Sequence, residues 1–194
     1  MELLGQFYAK GLGVELDENK ALHFYKKAAY RDSRGIEDMA LSYYFDKEHD
    51  YKDKAFKYFT EAAKFGETDS MYYLGEMYNK GEYVAKDDAK AFKWYMKAAE
   101  QNDFFSINAV TSAYICGHGV EKNFAEAFKW FQKPASRSGE PAEIFYDFAD
   151  YCLRNLTIDR KIEADDLEEV IKIYRKAAKE GSEQAKIILD TMNL

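Results

Sequence analysis

One repeated motif constrains the fold of this chain more than any other sequence feature. Its clearest copy reads Leu74-Gly75-x-x-Tyr78, Gly81-x-x-Val84 and Lys90-Ala91-x-x-Trp94-Tyr95-x-Lys97-Ala98-Ala99. Five copies align on a pair of small residues at Ala28, Ala62, Ala98, Pro134 and Ala177, with spacings of 34, 36, 36 and 43 residues. A period of this size is typical of stacked helical repeats.

Each copy is predicted to be a helical hairpin. The first segment carries apolar residues at helical spacing, as at Tyr73, Leu74 and Met77. The glycine at the Gly5 and Gly75 position is expected to let a neighbouring helix approach closely, since glycine costs helix stability unless packing compensates. The second helix is expected to start after an N-cap residue, for which the candidates are Asp17, Asp87 and Asn123.

The pattern predicts a single repeat domain over residues 1–194. The five repeats span approximately 1–32, 33–66, 67–102, 103–139 and 140–181. Residues 182–192, with Ala185, Ile188 and Leu189 on one face, are expected to form a last helix that caps the stack. The predicted fold class is therefore all-α.

Three departures from the pattern carry further expectations. Pro134 removes a helical hydrogen bond, which predicts a bend near the end of its helix. An insertion from Asn155 to Ala164 predicts a longer loop in the fifth repeat. Asp147 stands where Leu or Val occurs in other copies, so either the fifth repeat's first helix is shifted by one residue or this carboxylate is exposed or paired.

The combined motif L-G-x-x-Y, G-x-G-V, D-x-x-K-A, W-Y-x-K-A-A resembles the Sel-like repeat (SLR) family, relatives of the tetratricopeptide repeat. The copies at Leu4, Leu74 and Val110 carry most of it, while the second and fifth keep mainly the second helix. The resemblance implies a right-handed α-solenoid of about five hairpins plus the capping helix. It also implies a role in protein–protein interaction without catalytic residues.

Composition and charge indicate which kinds of partner to expect and where in the cell the protein acts. The formal net charge of -7 and pI of about 5.1 argue against nucleic-acid binding, which needs a basic surface. No apolar run is long enough for a membrane span, and the first residues do not form a signal peptide. A cytoplasmic location is predicted, or a periplasmic or secreted one if a signal was removed. Cys116 and Cys152 are expected to be reduced thiols.

The sequence offers no candidate for catalysis, cofactor binding or metal binding. His23, His49 and His118 fall in three different repeats and have no partner at metal-ligand spacing. Gly117-His118-Gly119 lies in a helix–helix turn and not after a strand, which argues against a dinucleotide-binding loop. We therefore expect a protein that is not an enzyme.

The predicted binding surface is the inner, concave wall formed by the first helices of the repeats. It takes the residues that share one helical face beside each core position. These are Asp38, Ser42, Phe45 and Asp46, then Asp69, Tyr72, Glu76, Asn79 and Lys80, then Phe105, Asn108, Ser112 and Ile115, and finally Phe145. Aromatic residues beside carboxylates suit a protein or peptide with basic and apolar side chains.

Three functional hypotheses follow from these patterns. The leading one is a monomeric, non-enzymatic scaffold or adaptor that binds a protein or peptide in its concave groove. The first alternative is an immunity protein whose acidic groove neutralises a bacterial toxin. The second alternative is a fragment of a larger signalling or quality-control protein.

Overall fold

The computed structural model confirms that the protein is all-α. It describes residues 2–28, 34–45, 52–82, 84–134, 139–158 and 162–193. Across these ranges the chain forms eleven α-helices and no β-strand. The helices are α1 (Glu2–Lys10), α2 (Glu18–Ala28), α3 (Arg34–Phe45), α4 (Lys52–Lys64), α5 (Thr68–Lys80), α6 (Asp88–Glu100), α7 (Phe104–Cys116), α8 (Phe124–Phe131), α9 (Pro141–Ile158), α10 (Ala164–Glu180) and α11 (Glu183–Thr191).

The first compact unit, Met1–Asp103, consists of three helical hairpins. Helix α1 pairs with α2, α3 with α4, and α5 with α6, while α3 also contacts α1 and α5. The first helices of successive repeats are therefore neighbours in this unit. Its core contains large side chains without solvent exposure, such as Phe59 and Leu74, together with Ala62, Ala63, Ala98 and Ala99.

The second compact unit, Phe104–Leu194, contains α7 to α11. Helix α7 contacts α8 and α9, α9 packs against α10, and α10 packs against α11. The core of this unit includes Phe131, Phe148 and Tyr174. The predicted last helix is confirmed as α11, which buries Ala185 and Leu189 and begins after the N-cap Ser182. The grouping of all repeats into one domain stays a prediction.

The predicted N-caps are confirmed at all three positions. Asp17 Oδ1 accepts a hydrogen bond of 2.9 Å from the backbone N–H of Lys20. Asp87 and Asn123 do the same for the backbone N–H three residues later, at 2.9 and 3.0 Å. Each cap satisfies a backbone donor that has no partner within the helix, so the second helix of these repeats starts at a defined residue.

Two expectations about helix ends need correction. The helix before Pro134 does not bend but stops, because α8 ends at Phe131. Proline lacks a backbone N–H and clashes with the preceding turn, which explains the early end. The inserted segment of the fifth repeat is not all loop, because α9 continues to Ile158. Leu156, only 2% exposed, gives this extension a buried face.

Candidate functional site

Most of the predicted groove residues of the first unit lie on α3 and α5. Asp38, Ser42, Asp69 and Lys80 are exposed, and the ring of Phe45 is 60% exposed. Tyr72, Glu76 and Asn79 are half-buried, and Asp46 lies outside the described residues. We call the surface made by one side of α3 and one side of α5 the α3–α5 face. Its residues are Asp38, Ser42, Tyr44 and Phe45 with Asp69, Tyr72, Tyr73, Glu76 and Lys80.

The α3–α5 face carries a continuous row of aromatic rings. The Phe45 ring centroid lies 5.1 Å from that of Tyr44 and 6.0 Å from that of Tyr73. Tyr44 and Tyr73 are 5.0 Å apart, and Tyr73 and Tyr72 are 5.5 Å apart. Tyr72 in turn contacts Tyr95 of α6 at 5.9 Å. The row links the exposed end of α3 to the buried side of the third hairpin.

Tyr73 was expected among the apolar residues at helical spacing, and Tyr44 was not among the predicted groove residues. The structure shows why the first expectation is half right. One side of Tyr73 stacks on the buried Phe59 at 5.1 Å, with an interplanar angle of 17°, while the side chain as a whole is only half-buried. The sequence signal for such residues is a pair of adjacent tyrosines, Tyr43-Tyr44 in α3 and Tyr72-Tyr73 in α5. Adjacent residues of a helix point in different directions, so the two tyrosines of a pair cannot both face the core.

A hydrogen-bonded trio lies at the inner end of the face. The Tyr95 hydroxyl donates to Oε1 of Glu76 at 2.6 Å, and Lys80 Nζ lies 2.6 Å from Oε2 of the same carboxylate. Burial, and then the bond to Glu76, raises the pKa of Tyr95 well above its usual range. The bond to Glu76 also raises the pKa of Lys80, so this cation stays charged. Glu76 is thus engaged inside the protein.

Carboxyl groups dominate the surroundings of Tyr73. Burial raises the pKa of its hydroxyl first, and the charges of Asp69, Glu37 and Glu76 raise it further, against the opposing effect of Lys80. Glu37 accepts hydrogen bonds from the backbone N–H and the hydroxyl of Ser70, at 2.9 and 2.8 Å. Three carboxyl groups against one ammonium give this end of the face an acidic character.

The predicted residues of the fourth repeat are only partly at the surface. Phe105 is 63% exposed, whereas Ile115 has no exposure and packs in the core of the second unit. Ile115 therefore cannot offer its side chain to a partner, which corrects that assignment. The helical-face rule fails there because α8 and α9 both cover α7. The carbonyl of Asn108 accepts from the Tyr151 hydroxyl at 3.1 Å, and Ser112 donates to Asn155 at 2.7 Å.

The fifth repeat settles the alternatives raised by Asp147. Phe148 and Ala149 are 1% and 0% exposed, so they occupy the places that Leu74 and Gly75 hold in the third repeat, while Asp147 is exposed. The first helix is therefore shifted by one residue. With this register, the residue of the fifth repeat that is equivalent to Tyr72 is Tyr146, and not Phe145 as predicted.

The shifted register reproduces the arrangement of the third repeat. The Tyr146 and Tyr174 rings lie 6.1 Å apart, as Tyr72 and Tyr95 do at 5.9 Å. Asp150 and Arg154 form an ion pair of 2.6 Å at the spacing of Glu76 and Lys80. Phe145 instead stacks on Phe128 at 4.8 Å, and Lys176 lies 4.0 Å from the centre of its ring.

Within the described ranges, no group of three His, Cys, Asp or Glu side chains could hold a metal ion. Among the described residues no disulfide joins Cys116 and Cys152, and burial raises the pKa of Cys152 well above its usual value, which disfavours the nucleophilic thiolate. Among the helices described, none is long and apolar enough to cross a membrane.

The repeats match a known family. The sequence model of the Sel1 repeat matches residues 1–33, 38–64, 68–103, 112–138 and 163–182, which is more than half of the chain. The chain belongs to the Sel1 repeat family. In the fifth Sel1 repeat only the second helix is matched, in agreement with the irregular α9. Comparison with curated protein sequences finds no match.

Solved structures of Sel1 repeat proteins are similar to this chain. One is a Sel1 repeat protein from Oxalobacter formigenes, with a TM-score of 0.53 and 25% identity over 98% of this chain and 64% of that one. Another is a protective antigen of uropathogenic Escherichia coli strains that displays an SLR fold, with a TM-score of 0.51 and 25% identity over 98% of this chain and 39% of that one. The chain thus spans less than two thirds of either. Sel1 repeats generally serve as scaffolds for protein–protein interaction.

Proposed function

We propose that this Sel1 repeat protein is a non-enzymatic adaptor that binds another protein through the α3–α5 face. The observation that carries the proposal is the exposed ring of Phe45, which continues into the row of Tyr44 and Tyr73 beside Asp69. Exposed aromatic residues in a contiguous patch are typical of protein-binding surfaces. We take this face to be part of the concave groove predicted from the sequence.

Family membership supports the proposal at a general level. Sel1 repeats supply stacked hairpins whose first helices lie side by side, as α1, α3 and α5 do in the first unit. Such neighbouring helices provide one continuous wall for an extended partner segment. The acidic groups on this wall favour a partner with basic as well as apolar side chains.

The test is affinity capture from the native host with two matched variants. Phe45→Ala/Asp38→Lys/Asp69→Lys changes only exposed side chains of the α3–α5 face. Glu76 is left unchanged in this variant because its carboxylate accepts the hydrogen bond from the Tyr95 hydroxyl. The control Ile187→Ala/Glu180→Lys/Asp190→Lys makes the same change in charge on exposed residues of α10 and α11.

The expected result is one specific partner, quantified by mass spectrometry, that is retained by the wild type and the control but lost from the α3–α5 variant. Far-UV circular dichroism verifies that all three proteins remain helical. Equal capture by the two variants would contradict a role of the α3–α5 face. Capture of a toxin would assign the protein as an immunity protein, and capture of other subunits of an assembly would assign it as an adaptor.

We also propose that the protein works as a monomer in the cytoplasm. Cys116 and Cys152 do not form a disulfide, which is the state that a reducing compartment maintains. Cell fractionation and analytical ultracentrifugation test these two points separately.

A further inference from the structure

The rings of Phe45 and Tyr73 on the α3–α5 face differ from several rings elsewhere in the described part of the protein, which carry a lysine cation. Elsewhere a lysine ammonium lies over the ring, with distances to the ring centre of 4.1 Å for Lys97 and Trp94, 3.4 Å for Lys133 and Trp130, and 4.0 Å for Lys176 and Phe145. In the part of the chain that the structure describes, no cation lies over Phe45 or Tyr73. Tyr73, which contacts Phe45, nevertheless lies next to a group of carboxylates.

The Phe45 ring is largely exposed and meets its neighbours edge to face. Phe45 meets Tyr73 edge to face, at 6.0 Å and 89°, and Tyr44 edge to face, at 5.1 Å and 87°. The three rings therefore do not stack on one another, and the Phe45 ring keeps 60% of its surface exposed. A ring face of this kind attracts a cation through its quadrupole, within about 6 Å of the ring centre.

The charged groups around these rings favour a positive ligand. Glu37, Asp69, Glu76 and Lys80 are the charged neighbours of the Tyr73 hydroxyl. Lys80 is already paired with Glu76 at 2.6 Å, and Glu37 is engaged by Ser70, which leaves the exposed Asp69 as the carboxylate best placed for an incoming cation. A ligand cation would gain both a ring face and a carboxylate.

We propose that the rings of Phe45 and Tyr73, together with the carboxylate of Asp69, bind an arginine side chain of the partner protein. A guanidinium group suits this site better than an ammonium group because it is planar, weakly hydrated and able to stack on a ring while it pairs with a carboxylate. This inference rests on the proposed protein-binding function and names the side chain that the α3–α5 face recognises.

The test is an NMR titration of the full chain with L-argininamide. The expected result is a saturable shift of the backbone amide signals of Phe45 and Tyr73, with the amide of Ile187 unchanged. L-citrullinamide has nearly the same shape and the same α-ammonium group but an uncharged side chain, and it should give no saturable shift. L-lysinamide should bind more weakly than L-argininamide.

Two variants test the assigned contacts separately. Phe45→Ala should weaken argininamide binding about two- to fivefold, as expected for the loss of one exposed cation–π contact. Asp69→Asn should weaken it by a similar factor, and this difference should shrink at high salt. Both side chains are exposed, so the rest of each spectrum should match the wild type.

Several results would overturn the inference. They are no saturable shift with argininamide, equal shifts with citrullinamide, equal or tighter binding of lysinamide, or binding that neither variant weakens. If argininamide fails while the host partner still depends on the α3–α5 face, the arginine site is wrong and the adaptor function stands. If argininamide binds while no host protein is captured, the adaptor function fails instead.

Discussion

The ring of Tyr95 packs directly on the backbone of Gly75. A Cβ atom added to Gly75 would lie 2.5 Å from Cδ1 of Tyr95, closer than side chains pack. The first repeat has the same relationship, with 2.7 Å between a Cβ on Gly5 and the ring of Tyr25. The expectation that glycine lets the two helices approach is therefore confirmed, and the neighbour is the second helix of the same hairpin.

The close approach predicts that Gly75→Ala destabilises the first unit. Alanine is the better helix former, by about 0.5–1 kcal/mol, but the clash with the Tyr95 ring should exceed that gain and give a net loss of roughly 1–3 kcal/mol. Urea unfolding followed by circular dichroism measures the difference. Gly139→Ala is the control, since no described heavy atom lies within 4 Å of its added Cβ. An unchanged midpoint for Gly75→Ala would show that the ring has room to move.

An ion pair between repeats stabilises the second unit. Lys122 Nζ lies 2.7 Å from Oδ2 of Asp166, whose side chain is 6% exposed and also accepts from the backbone N–H of Glu163 at 3.4 Å. Lys122→Met should cost roughly 1–3 kcal/mol because it leaves a buried carboxylate without its cation. Lys129→Met, which breaks an exposed pair with Glu126, should cost less than about 1 kcal/mol. Equal unfolding midpoints for the two variants would refute the special role of Asp166.

Glu37 should make stability depend on pH. Burial is the largest cause that raises its pKa above the usual 4.5, so the folded protein holds this proton to a higher pH than the unfolded chain. The contribution to stability is then fully present below pH 4.5 and decreases as the pH rises through the folded-state pKa.

Glu37→Gln tests this dependence, because the amide oxygen can still accept from Ser70. The difference in unfolding free energy between variant and wild type should change in favour of the variant as the pH rises above 4.5. Asp53→Asn, on the exposed side of α4, serves as the control. A constant difference across this pH range would mean that Glu37 does not titrate as described.

The two cysteines should differ in reactivity. Cys116 is half-buried, whereas Cys152 is buried and its raised pKa keeps it as a thiol. A thiol reagent such as Ellman's should therefore label one cysteine in the native protein and two after denaturation. Mass spectrometry should identify Cys116 as the labelled site. Rapid native labelling of Cys152 would contradict its burial.

Much of the fold follows from local sequence patterns. The N-caps at Asp17, Asp87 and Asn123 were predictable because a side-chain oxygen at that position satisfies a specific backbone donor. The helix order followed from the repeat period, and the family from the resemblance of the motif residues. These features depend on residues close together in the chain.

Features that depend on packing between helices were harder to predict. The burial of Ile115 depends on cover from α9, which the helical-face rule for α7 does not include. The sequence left the register of α9 open, and Phe145 was chosen on the unshifted alternative, whereas Phe148 and Ala149 take the core positions. One face of the Tyr73 ring packs on the core residue Phe59, although the side chain is only half-buried. A sequence pattern that classes each residue as buried or exposed cannot predict such an intermediate position.

Site-specific photo-crosslinking at Phe45 tests the central claim most directly. A photoreactive phenylalanine analogue placed at Phe45 keeps an aromatic ring on the α3–α5 face, and the same analogue at Ile187 provides an equally exposed reference. Irradiation in the native host should join a partner protein to the Phe45 analogue and not to the Ile187 analogue. An adduct from Ile187 alone, or no adduct at Phe45, would contradict the claim that this face binds the partner.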